Sequence, residues 1–86
     1  MNINELIAIV KKKLQSQINI ENIIIEDKSF LHKKHTNNQV GKFHLKLNIN
    51  SDELKKLSRI DSNKKIYKVL NDELKEYIHS IQILIN

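Results

Sequence analysis

Histidine is the residue type in this chain with the clearest capacity for site chemistry. The four histidines are His32, His35, His44 and His79, and the 86-residue sequence contains no cysteine. Neutral imidazole is a good ligand for iron and other first-row metals, whereas no thiolate ligand can come from this chain. The spacing of the histidines forms no local metal-binding motif, so any site has to be assembled by the fold.

Each histidine also has a purely structural interpretation. His79 shares its parity with Ile81 in a β-branched C-terminal run, and this position alone favours a packed, half-buried histidine. His32 and His35 lie in a polar segment, where loop histidines are usually solvated. His44 alternates with apolar residues on a predicted strand, so we expect it to be exposed.

Basic side chains form the second candidate group. The chain carries 15 lysine and arginine residues against 10 acidic residues, a net charge of +5 that can steer an anionic partner. We favour compositional bias as the origin of this charge, because the chain is rich in lysine, asparagine and isoleucine. The basic residues that could contact nucleic acid through a helix-turn-helix-like region are Lys55, Lys56, Arg59, Lys64, Lys65 and Lys68. The alternative, which we prefer, is that they form solvated faces of amphipathic helices.

Several function classes have no sequence support. There is no nucleophile elbow, phosphate-binding loop, dinucleotide fingerprint or paired-carboxylate arrangement, and Asp72 and Glu73 are expected to be surface charges, so we do not expect an enzyme. Gly41 is the only glycine, which excludes the G-x-x-G clamp of RNA-binding domains. No apolar run of about 20 residues and no signal peptide is present, so we expect a cytoplasmic protein without a membrane partner.

Hydrophobic periodicity predicts three amphipathic helices and three strands. The predicted helices cover about 4–16, about 51–60 with Ser51 as a good N-cap, and, after a break at Asp61-Ser62-Asn63, residues to about 75. The predicted strands are a buried isoleucine run at about 21–27, a strand of unbroken alternation from Phe43 to Ile49, and Ile78 to Ile85. A polar loop at 29–40 makes the first two strands antiparallel neighbours.

The element order α-β-β-α-α-β predicts one α+β domain over residues 1–86. Three strands with one apolar face, covered by helices on that face, give a two-layer architecture. The same order is found in class II KH-like folds.

The C-terminal third of the sequence resembles the BolA family. The run KKIYKVLNDEL from Lys64 to Leu74, followed by Ile78-His79-Ser80-Ile81, is similar to the family pattern [RK]-x-[IV]-Y-x-x-L-x-x-E-[LI] with a later I-H-A-L. The segment Asp27-Lys28-Ser29, a histidine-bearing loop and Phe43 resemble the first half of the family. The resemblance therefore covers nearly the whole chain.

Three positions depart from the family pattern. The usual R-H-R triplet is Ser62-Asn63-Lys64, the usual F-E-G is Leu54-Lys55-Lys56, and the histidine before the strand-2 phenylalanine is Lys42. The region stays basic, but most of the bidentate arginine chemistry is lost because lysine is a point charge.

The resemblance implies a binding partner and a cofactor. Members of the family bind monothiol glutaredoxins and share a bridging [2Fe–2S] cluster with glutaredoxin and glutathione, so the cluster is not bound by this chain alone. His79 is the implied ligand, with a second from the loop, either His35 or His32. The family is also linked to DNA binding, so a transcriptional regulator is the alternative function. We expect a monomer or a weak homodimer.

Overall fold

The computed structural model describes residues 1–29 and 42–86 of the chain. Within these ranges the fold contains four helices and a three-stranded sheet. The elements are α1 (Ile3–Gln17), β1 (Asn22–Asp27), β2 (Phe43–Asn50), α2 (Asp52–Lys55), α3 (Arg59–Val69), α4 (Asn71–Glu76) and β3 (Ile78–Ile85). Three predicted features, His32, His35 and Gly41, lie outside the described residues.

Short polar side chains determine where three of the helices begin. Asn2 Oδ1 accepts the Glu5 backbone N–H at 2.8 Å, so α1 starts at Ile3, one residue earlier than predicted. Ser51 Oγ accepts the Leu54 N–H at 3.2 Å and caps α2 as expected from its sequence position. Ser58 Oγ accepts the Asp61 N–H at 3.0 Å and caps α3.

The predicted boundary between the second and third helices was wrong. α2 ends after a single turn at Lys55, and the Ser58 cap begins α3 at Arg59, so Asp61-Ser62-Asn63 lies inside α3. Ser62 is buried there, and its hydroxyl donates to the Arg59 carbonyl at 2.9 Å, which satisfies its polar group within the helix. The predicted third helix is also divided at Leu70, whose ψ of 17° departs from helical geometry and separates α3 from α4.

The sheet has the order β1-β2-β3, with β1 antiparallel and β3 parallel to the central strand β2. One face of the sheet carries the core, and α1 and α3 contribute to the same apolar cluster, so the predicted two-layer α+β architecture is confirmed. The fully or almost fully buried apolar residues are Leu6, Val10, Leu14, Ile18, Ile23, Leu45, Leu47, Ile49, Leu54, Ile66, Leu70 and Ile78.

The side chains of β1 alternate between the two faces of the sheet, although its sequence is a continuous isoleucine run. Ile23 and Ile25 pack with the core, whereas Ile24 is 52% exposed on the opposite face of the sheet, so the isoleucine run is not buried throughout. In the described part of the chain, the helices are too short or too polar for a membrane-spanning segment.

Candidate functional site

A β-bulge at the start of β3 shapes the candidate site. Phe43 pairs with Ile78 and His44 pairs with Ser80, so His79 is the extra residue on β3 between two consecutive pairs. Bulges leave one residue outside the ladder and redirect its side chain, and they are rare in parallel pairs. The irregular backbone of β3 is therefore located at His79.

The bulge also overturns the parity argument for His79. Ile78 is buried and Ile81 packs against the core, although they differ in parity, because the alternation shifts across the bulge. His79 is exposed rather than half-buried. Its imidazole is accessible to an iron atom carried by a partner protein, and imidazole nitrogen is a suitable iron ligand. The residue thus fits the ligand role that the sequence resemblance implies.

His44 lies beneath this exposed histidine. It is only 5% exposed, so the expectation of a solvated side chain was wrong. Its Nδ1 lies 2.6 Å from Ser80 Oγ, and its ring centroid lies 5.0 Å from that of His79 with an interplanar angle of 58°. Its backbone N–H donates to Ser29 Oγ at 3.1 Å. The structure thus places a second histidine next to His79 that the sequence pattern did not identify.

No sequence signal marks the role of His44. The residue alternates correctly for the face opposite the helices, and its ring contacts that of His79 on the neighbouring strand, beside the bulge. Ser80, its hydrogen-bond partner, is 36 residues away in the sequence. The predicted companions His32 and His35 lie outside the described residues, so the choice between them stays a prediction. Residues 1–29 and 42–86 contain no group of three or more potential metal ligands.

The predicted basic residues divide between two regions of the surface. Lys55 and Arg59 line a depression of about 460 Å³ that also includes Ile83 and Leu84 near the end of β3. Lys56 is exposed directly after α2. Because α2 is a single turn, the region lacks a full first helix of a helix-turn-helix. Any contact with nucleic acid would therefore depend mainly on α3.

The remaining predicted lysines meet a residue of α1 that sequence analysis missed. Lys64, Lys65 and Lys68 line a groove of about 700 Å³ together with Lys13. Lys65 Nζ lies 2.8 Å from Glu53 Oε2, and this hydrogen-bonded contact lowers the pKa of the Glu53 carboxyl, with a smaller contribution from the Asn19 backbone N–H. Lys13 is 51 residues before Lys64, so only the packing of α1 beside α3 could reveal it.

Glu73 is buried, which corrects the expectation of a surface charge. Its Oε2 accepts a hydrogen bond from Lys13 Nζ at 2.7 Å, and this contact raises the pKa of the Lys13 ammonium. Among the described residues, Glu73 Oε1 has no hydrogen-bond partner. The Lys13–Glu73 pair connects α1 to α4. Lys13 therefore has a structural role in addition to lining the groove.

Comparison with known proteins assigns the chain to a family. The family model for BolA-like proteins matches residues 14–86. The DNA-binding transcriptional regulator BolA of Haemophilus influenzae is 29% identical over 75 residues, which cover 87% of this chain and 70% of the relative. The BolA domain of SufE1 from Arabidopsis thaliana has a TM-score of 0.79 at 26% identity, covering 100% of this chain and 93% of that domain. BolA1 from the same plant, at 22% identity, has a TM-score of 0.75 over 92% of this chain and 87% of its own, and supports the fold alone. The chain belongs to the BolA-like protein family.

Proposed function

We propose that this chain is a cytoplasmic adaptor that binds a monothiol glutaredoxin and takes part in the assembly, transfer or redox regulation of a [2Fe–2S] cluster. The observation that carries the proposal is the exposed His79 imidazole on the β-bulge, in a chain of this family whose sequence around His79 resembles the I-H-A-L motif. β-bulges are over-represented next to active sites, where they redirect a side chain, and this supports a binding role for a histidine exposed at one.

In this proposal the cluster is cargo shared between two proteins. His79 supplies one ligand from this chain and either His35 or His32 supplies a second, while the glutaredoxin and its glutathione supply the thiolates. Two imidazoles on one iron of a [2Fe–2S] unit have a precedent in Rieske centres, where they raise the reduction potential relative to four thiolates. This division suits a chain that has four histidines and no cysteine.

The partner surface is tested by titrating isotope-labelled protein with a monothiol glutaredoxin and following amide resonances by NMR. We expect shifts concentrated in α3, α4, β3 and residues 29–40. The N-terminal turn of α1, near Ile3, serves as an internal control. Uniformly unchanged spectra, or shifts confined to α1, would contradict binding through the His79 side of the molecule.

A DNA-binding regulator is the second candidate function. Two observations favour it, namely the similarity to a DNA-binding transcriptional regulator of Haemophilus influenzae and the lysine-lined groove between α1 and α3. In the described part of the chain, Lys64 and Lys68 take part in no ion pair, so their ammonium groups are available to phosphates. Phosphate contacts of this kind give affinity that weakens steeply with salt.

The two functions are separable by one salt titration of DNA binding. Replacing Lys64 and Lys68 with Ala should reduce the slope of log affinity against log salt by about 1 for each lysine that contacts a phosphate. Replacing Lys11 and Lys12, which are exposed on α1, removes the same charge and is the matched control. Equal losses in both double variants, or no binding at low salt, would exclude a specific nucleic-acid surface on α3.

A further inference from the structure

We propose that His44 is a positioning residue that holds the His79 imidazole in the orientation for binding its ligand. The inference rests on the proposed function and adds to it a residue of this chain that acts through His79. Its basis is the contact between the two rings, whose centroids are 5.0 Å apart, and the burial of His44 under an exposed His79.

An exposed side chain at a bulge is free to change rotamer unless a neighbour restrains it. A surface histidine that samples several rotamers loses conformational entropy when it binds an iron, and this loss lowers the binding affinity. The tilted contact with His44 gives the His79 ring one buried surface to pack against. The contact therefore selects among the orientations of His79 before any partner arrives.

His44 is suited to this role because it is itself held from several sides. Its carbonyl accepts the Lys28 N–H at 2.7 Å, its N–H donates to Ser29 Oγ at 3.1 Å, and its Nδ1 lies 2.6 Å from Ser80 Oγ. The ring bond forms with either tautomer, since Ser80 can donate to Nδ1 or accept from it. A rigid group that orients a ligand residue improves binding without touching the metal.

The pairing of His44 with Ser80 is a feature of this chain. Ser80 occupies the position of alanine in the I-H-A-L pattern, which offers no side-chain hydrogen bond. The hydroxyl fixes the angle of the His44 ring, and that ring in turn supports the neighbouring His79. Of these two consecutive residues of β3, His79 would bind the ligand and Ser80 would support it through His44.

The first test uses the protein without a cluster. In wild-type protein we expect nuclear Overhauser effects between the ring protons of His44 and His79. Ser80→Ala should weaken them and shift the His79 ring resonances, whereas Lys46→Ala, on the same face of β2, should change neither. Unaltered His79 ring resonances in Ser80→Ala and in His44→Ala would overturn the inference.

The second test uses the cluster-loaded complex with a monothiol glutaredoxin. His44→Ala should raise the rate of cluster loss to a chelator about 10-fold or more and change the EPR spectrum of the reduced cluster. His44→Phe keeps a ring in place but loses the hydrogen bond to Ser80, so its rate should lie between those of His44→Ala and wild type. If His44→Ala does not fold, Ser80→Ala decides the question in the same assay, with faster loss expected and an unchanged rate contradicting the role.

The outcomes separate this inference from the proposed function. If His79→Ala leaves the spectrum and the cluster-loss rate at wild-type values, the proposed function fails and His44 has nothing to position. If His79→Ala removes the signature while His44→Ala and Ser80→Ala match wild type in both assays, the ligand role stands and only the positioning role is overturned.

Discussion

At the scale of single residues, neighbours distant in sequence decide what each charged or ligand-bearing side chain can do. His44 and Glu73 were both expected at the surface and are both buried, each with a partner from another element. Buried polar groups are costly unless they are paired, so the partners Ser80 and Lys13 are part of the explanation for each. The same chemistry makes removal of one partner worse than removal of both.

The Lys13–Glu73 pair gives a residue-scale prediction. Lys13→Met should lower the thermal unfolding midpoint by several degrees, because it leaves a buried carboxylate without its hydrogen-bond donor. The double variant Lys13→Met with Glu73→Met should recover most of the loss, since neither charge remains. Lys12→Met, one residue earlier and exposed, is the control and should behave like wild type. Equal midpoints for Lys13→Met and Lys12→Met would show that the pair contributes nothing.

At the scale of elements, the position of α3 depends on one serine. Ser58 caps α3, and α3 carries three of the groove lysines. The position at which the helix begins therefore affects where these lysines lie along the groove. Ser58→Ala should destabilise the protein by about 1 kcal/mol in a denaturant titration, because the Asp61 N–H loses its acceptor. Ser58→Asp retains an acceptor at the cap and should stay close to wild type. A loss of the same size in both variants would mean that the cap is not the cause.

Local patterns predicted the elements that depend on local physics. The alternation of β2 and the Ser51 cap were confirmed, because strand parity and capping involve residues close in sequence. The boundary at Asp61-Ser62-Asn63 was wrong, because Ser58 caps α3 and the helix continues through these three residues. The bulge at His79 arises from how two strands align, and neither strand shows it alone.

The candidate site was predictable only in part for the same reason. His79 was identified through a family motif, whereas its exposure is a consequence of the bulge. His44 and Lys13 joined their clusters through contacts between elements that are far apart in sequence. A family motif can therefore indicate a candidate ligand, but the residues that support it depend on the tertiary structure.

At the scale of the whole molecule, ion pairs between lysines and glutamates contribute to the pH dependence of stability. Hydrogen bonds from Lys28 and Lys65 lower the pKa values of Glu26 and Glu53 below their ordinary value of 4.5, and the bond to Glu73 raises the pKa of Lys13 above 10.5. The carboxylates stabilise the folded state above pH 4.5, and this contribution is lost as pH falls through their lowered pKa values. The Lys13 contribution is present below 10.5 and is lost as pH rises through its raised pKa.

The acid side of this range gives the whole-molecule prediction. Thermal unfolding midpoints should fall as pH decreases below 4.5, because both carboxylates lose their stabilising charge there. Glu53→Gln should show a shallower fall over the same range, because one of the two lowered carboxyl pKa values is removed. Glu5→Gln, at an exposed position of α1, is the control. Identical pH profiles for Glu53→Gln and wild type would contradict a contribution from the Glu53–Lys65 pair.

The whole molecule is a two-layer domain that presents His79 at a strand bulge, and we propose that this histidine binds a shared cluster. The direct test mixes the apo-protein with cluster-loaded monothiol glutaredoxin and records the visible circular dichroism spectrum. Wild type and Gln82→Ala, a control on the exposed side of β3, should give the same new spectrum. His79→Ala should fail to give it. If His79→Ala gives the wild-type spectrum, His79 is not the ligand and the proposed cluster-binding function is wrong.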